Sequence, residues 1–188
     1  MHKRLLMSVV VALVVAPGAL AAGGNYTFDG GTRAEQAQVR SGLNASSFNW
    51  GVVPGPIVIH IGGGPGPHAV PGQIWLDASL LDSGRFSWGV IQHEYAHQVD
   101  FGLLTDPMRT RLETLIGGST WWSGSHDSLA CERFADALAW AYWPSPDNVL
   151  RPDRPLAEQF RATLALLIPG VSGRSIAAVA RKHRTPKG

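Results

Sequence analysis

Two histidines stand four positions apart in the segment IQHEYAHQVDF, residues 91–101, and a glutamate follows the first of them. On a helix, positions i and i+4 share a face, so His93 and His97 can converge on one ion. Glu94 sits beside the first imidazole without joining the pair. A bound metal lowers the pKa of water to about 7, and a neighbouring carboxylate can take the proton as that water attacks a carbonyl. The spacing therefore suits metal-assisted hydrolysis. The plainer reading is an amphipathic helix whose two histidines are satisfied by ordinary hydrogen bonds, and only context separates the two.

Context comes from CERFADALAW, residues 131–140, where Glu132 and Asp136 are again four apart. The residues that follow are nearly all apolar (Phe134, Ala135, Ala137, Leu138, Ala139, Trp140). So apolar a helix does not turn acids inward without a partner for them. Glu132 can supply a third ligand from across a helix pair. Asp136, one turn on, can hydrogen-bond the outer nitrogen of a ligand histidine and fix its tautomer. Asp100 is the rival third ligand, at i+7 from His93. A straight helix rises about 10.5 Å over seven residues, too far for a short side chain to meet both imidazoles on one ion. Asp100 is expected instead to orient a histidine or to join a buried polar network.

His93-Glu94-x-x-His97 followed by Glu132-x-x-x-Asp136 resembles the gluzincin metallopeptidases, the thermolysin-like class. HEYAHQVD with the later ERFAD looks closest to the small secreted anthrax lethal-factor-like peptidases. The resemblance implies one zinc ion on His93, His97 and Glu132, with Glu94 as general base and Asp136 behind a ligand. It implies a peptide or protein substrate, paired with an edge strand for which Gln73–Ala78 is the matching candidate. Enzymes of this kind often steady the oxyanion with a histidine or tyrosine. His126 is the first candidate here, ahead of Tyr142, Tyr95 and His60. The metzincin pattern fails, because the positions where it needs a glycine turn and a third ligand hold Asp100 and Leu103. The chain is short for a thermolysin-like enzyme, so the large subdomain beside the cleft is expected to be reduced or missing.

The competing class of function is a non-catalytic secreted domain that keeps the zinc, or only the fold. A structural zinc site is usually closed by four protein ligands, whereas three ligands plus a base make an open arrangement. That favours a secreted zinc endopeptidase. A thiol enzyme has no support. Cys131 is the one cysteine, it cannot pair within the chain, and no suitable base stands near it.

Several elements must position these residues. The first 21 residues read as a secretory signal: Lys3 and Arg4, an apolar run from Leu5 to Val15, then Ala19-Leu20-Ala21 as a small-x-small cleavage pattern. An uncleaved anchor is the minor alternative, and no stable membrane association is expected after cleavage. The remainder, 22–188, is expected to be one domain in a secreted or extracytoplasmic location. The chain's formal net charge is +2, and Lys3 and Arg4 supply both of those charges, which argues against a nucleic-acid partner. The basic tail 181–188 reads as a frayed terminus.

Helices are expected over 32–45 (capped by Thr32, with Glu35 in a capping box), from Ser87 to Phe101 with Gly102 as stop, and from an Asp106-Pro107 start to Ile116. Three more are expected: one capped by Asp127 and ended by Pro144, then 156–168 and 173–183. Residues 57–61 and the start of 73–81 read as strands, with a loop over 62–72. His60 and His68 are expected to do no chemistry. The fold class is α+β, helix-rich and zincin-like, with a small sheet.

Overall fold

The computed structural model describes residues 24–118, 120–123, 129–150 and 154–171. The signal segment, His126, the Asp127 cap and the 173–183 helix fall outside the described residues. The architecture is α+β. A four-stranded mixed sheet is formed by β1 (Tyr26–Gly30), β2 (Ile57–Gly62), β3 (His68–Val70) and β4 (Gln73–Asp77), in the order β1-β2-β4-β3. Six helices accompany it: α1 (Arg33–Ala45), α2 (Ala78–Leu81), α3 (Trp88–Leu103), α4 (Asp106–Ile116), α5 (Ala130–Tyr142) and α6 (Ala157–Leu167). Among the described residues, no helix is long and apolar enough to cross a membrane.

The sheet follows from β-branched alternation. Ile57, Ile59 and Ile61 on β2, and Ile74 and Leu76 on β4, turn one face into the core. His60 and Trp75, on the alternate positions, occupy the other face. Strand β1 pairs parallel with β2, and β2 pairs parallel with β4. The segment 62–72 is not all loop. Its end is strand β3, antiparallel to β4, with Val70 opposite Gln73. Pro71 and Gly72 make the turn between them: proline pre-sets its own φ, and Gly72 takes φ +80°. His68 thus lies in a strand rather than at a loop tip. Strand β4 is flanked on both sides, so Gln73–Ala78 is not the edge strand expected from sequence. The edge beside β4 is β3.

Helix α1 starts at the expected cap: Glu35 N–H donates to Thr32 Oγ1, and Thr32 N–H donates to the Glu35 carboxylate. Helix α3 lies along both α1 and α5. From Ile91 to Asp100 every residue of it but His93 is buried. Burial of Ile91 and Val99 contributes about 1.5–3 kcal/mol each. Ser87 does sit at the N-cap, but its hydroxyl donates to Gly84 O rather than accepting from the helix. Thr105, not Asp106, occupies the cap of α4, and α5 begins at Ala130 with Leu129 at its cap.

Gly102 does not stop α3, which continues to Leu103. It is a packing residue: a Cβ there would lie 2.9 Å from Pro54 Cγ. Gly102→Ala gains about 1 kcal/mol of helix propensity but overpacks against a rigid ring at about 1–3 kcal/mol. The expected outcome is a net destabilisation of about 1 kcal/mol in denaturant unfolding. Equal or greater stability would show that the Pro54 segment moves aside freely.

Candidate metal centre

One turn of α3 presents the rings of His93 and His97, with centroids 4.9 Å apart. Across from them, one turn of α5 presents Glu132 and Asp136. Four residues of helix span about 6 Å, so these two acids reach opposite nitrogens of a single imidazole. Asp136 Oδ1 lies 2.7 Å from His93 Nδ1, and Glu132 Oε2 lies 3.1 Å from His93 Nε2. His97 Nε2 is 3.2 Å from His93 Nε2 and 3.5 Å from Glu132 Oε1. The side chains are nearly closed to solvent, at 12% exposure for His93, 8% for His97 and 12% for Glu132.

The hydrogen-bond inventory makes this arrangement informative. A carboxylate only accepts, so His93 Nδ1 carries the proton that Asp136 receives. In neutral His93 the other nitrogen, Nε2, is then a bare acceptor. It faces a carboxylate oxygen and a second imidazole nitrogen. With His97 in the tautomer that leaves Nε2 bare, three acceptor atoms meet here, and a cation among them removes their repulsion. His93, His97 and Glu132 are thus a group that could hold a metal ion, each offering one atom within 4.8 Å of the others.

Without metal, a proton on His93 can play the cation's part. Burial disfavours the His93 imidazolium, but the hydrogen bonds it donates to Asp136 and Glu132 outweigh this and raise its pKa to about 10. Glu132 moves the opposite way. Burial would raise it, but its contacts with His93 and His97 hold its carboxyl well below the usual carboxylate range. Glu94, only 6% exposed, is raised by burial; the nearby His93 and His97 act against this, and Glu132 adds to it.

Asp100 serves a different cluster. It is fully buried, and both carboxylate oxygens are taken: Arg109 Nε–H donates to one at 2.8 Å and Trp121 Nε1–H to the other at 2.7 Å. It joins a polar network next to the metal-capable group and hydrogen-bonds neither imidazole. Sequence reasoning named the network as one of two roles for Asp100 but not its members.

The other candidates sit elsewhere. Tyr95 and Tyr142 are buried in the core, with hydroxyls that find no partner among the described residues. His60 is held by Asp29 and Gln73 on the far face of the sheet. A cavity of about 260 Å³ there, lined by Asp29, His60, Trp75 and Asp77, contains none of the metal-capable residues. Cys131 is a free buried thiol, and burial pushes its pKa up to about 12, which removes it as a nucleophile. Gln98 is a residue that sequence reasoning missed. Its amide donates to Val70 O and Gln73 O and accepts from Gly72 N–H, and so ties the β3–β4 turn to α3. A glutamine inside a buried helix was the available signal.

Two measurements test this electrostatic picture. A metal ion must displace the His93 proton, so apparent affinity for a divalent metal should rise about tenfold per pH unit from about pH 6 to 8 in competition titrations. A flat profile would mean that His93 is not a ligand. The sign for the metal-free protein is the reverse. A pKa raised from 6.5 to about 10 gives stability that is complete below pH 6.5 and lost as pH rises towards 10. Separately, Asp100→Ala leaves the Trp121 N–H without its acceptor and Arg109 with only the exposed Asp106, and should cost about 1–3 kcal/mol in unfolding.

No family model matches the chain, and no curated protein or solved structure matches it, so the chemistry of this centre stands on its own residues.

Proposed function

We propose that the chain is a zinc-dependent peptidase of the gluzincin type, acting outside the cytoplasm on peptide or protein substrates. The observation that carries the reading is the convergence of three side chains: His93 Nε2 lies 3.1 Å from Glu132 Oε2 and 3.2 Å from His97 Nε2, and His97 Nε2 lies 3.5 Å from the other Glu132 oxygen, Oε1. Donors on a tetrahedral zinc, each about 2.0–2.1 Å from the ion, lie about 3.3–3.4 Å apart. The contacts among the two imidazoles and the carboxylate are of that size, and one atom from each residue lies within 4.8 Å of the others. Two imidazoles and one carboxylate with the fourth position open form a donor set of catalytic rather than structural zinc sites.

When bound, zinc supplies Lewis acidity to a substrate carbonyl and acidity to a water. The rest is the work of this chain. Asp136 accepts the His93 Nδ1 proton and so keeps the Nε2 lone pair aimed at the ion. Glu94 follows His93 directly and is buried beside the candidate ligands, which places its carboxylate for the general-base role. It takes the proton from the attacking water and returns it to the leaving amine. The short edge strand β3 is tied to α3 by Gln98, and an extended peptide can add to such an edge. The basic and apolar N-terminal segment supports export of the chain.

Elemental analysis of the purified protein should find one zinc, largely lost in Glu132→Ala. Asp136→Ala should weaken zinc about ten- to a hundred-fold, and unchanged affinity would remove it from behind His93. Glu94→Gln should keep its zinc and lose about 10²–10⁴ in turnover of a mixed peptide library. Zinc without cleavage of any peptide would leave a non-catalytic zinc-binding domain. No zinc, even after incubation with the metal, would return α3 to a helix with two hydrogen-bonded histidines.

A further inference from the structure

The metal-capable group opens onto a row of aromatic rings. The His97 imidazole lies 6.1 Å from the Phe101 ring at an interplanar angle of 22°, and Phe101 lies 5.7 Å from Trp122 at 14°. Rings in face contact are about 3.5–4 Å apart, so centroid distances near 6 Å mean that each ring is displaced sideways by at least about 4 Å. The three rings form a terrace, not a closed stack. Trp122, at the outer end, is 51% exposed.

An exposed tryptophan is often incidental, but this one is held. Its neighbour Trp121 is anchored through its indole N–H to the buried Asp100. Arg109, bonded to that same carboxylate, lies with its guanidinium 5.2 Å from the centre of the Trp122 ring. Asp100 follows His97 on α3, so a single helical turn carries both a candidate ligand and the acid that fixes the aromatic row. Ordering a large apolar side chain in water costs entropy and exposes surface, and here a buried charge pair is committed to the segment that does so.

We infer that Phe101 and Trp122 form a subsite for an aromatic side chain of the substrate, next to the scissile bond on the His97 side. This rests on the zinc reading above and narrows its substrate class to peptides carrying Phe, Tyr or Trp near the cleavage point. An aromatic ring of the substrate can cover the exposed part of Trp122 by offset stacking, whereas an alanine leaves it wet. Asp100, Arg109 and Trp121 act as positioning residues, since they touch Trp122 or its neighbour and not the ligand.

The test uses binding, so it does not depend on turnover. Zinc-loaded full chain is titrated with acetohydroxamate, N-acetyl-phenylalanine hydroxamate and N-acetyl-alanine hydroxamate. The ratio of the last two dissociation constants is the readout, because a general change in metal affinity cancels from it. The parent should prefer the phenylalanine compound by about tenfold or more. Trp122→Ala should bring the ratio close to one, and Trp122→Phe should retain most of the preference. Trp122 is half exposed, so its truncation leaves the core intact. Binding of all three compounds without an aromatic preference, or a preference that survives Trp122→Ala, overturns the subsite and leaves the zinc reading standing. Failure of zinc-loaded parent to bind acetohydroxamate overturns both.

Discussion

The structure is organised by a central helix that is buried on nearly every side and yet polar. Over ten residues α3 carries Gln92, His93, Glu94, His97, Gln98 and Asp100, and all but His93 are closed to solvent. A polar group taken from water without a partner costs several kcal/mol, so each of these dictates what must pack against it. Gln92 takes the Gly42 carbonyl of α1. Gln98 takes the β3–β4 turn, and Asp100 takes Arg109 of α4 and Trp121. His93 takes the two acids of α5. Four separate parts of the chain are thereby registered on one helix by directional bonds, while Ile91, Tyr95, Ala96 and Val99 supply the non-directional burial.

The pairing of α3 with α5 shows how charge and packing were reconciled. Glu132 and Asp136 lie among alanines and aromatics, and neither acid would be tolerated there alone. The His93 ring stands between them, bonded through one nitrogen to each. In the absence of metal, a protonated His93 sits between the two acids. A divalent ion replaces the proton in the same field. The arrangement that would hold a metal is therefore also one that lets the apolar helix pair close.

Asp100 and His97 illustrate division of labour within one turn. Both are buried and both were candidates for the same ion. The straight helix separates them along its axis, so His97 faces α5 and Asp100 faces Arg109 and Trp121. The acid left out of the metal-capable group holds the loop that places Trp122 at the rim. Sheet and loop thus border the candidate site from two sides, β3 through Gln98 and Trp122 through Asp100.

Much of this was legible in the sequence because helical spacing is a local property. The four-residue steps His93–His97 and Glu132–Asp136 place each pair on one face whatever the rest of the chain does. The Thr32–Glu35 capping box and the alternation of isoleucines in β2 are equally local, and they placed α1 and β2. Strand order was not local. Val70-Pro71-Gly72-Gln73 holds the turn signal that makes β3, but only tertiary pairing decided that β3 covers one side of β4 and becomes the edge. The partner of Asp100 was also beyond sequence, because burial alone says that an acid needs a counterpart and not which one. Gly102 read as a helix stop by composition, and only the nearness of Pro54 showed it to be a contact. Spacing along one helix determined which residues could act together; the packing of α3 against α5, α4 and the sheet decided which of them do.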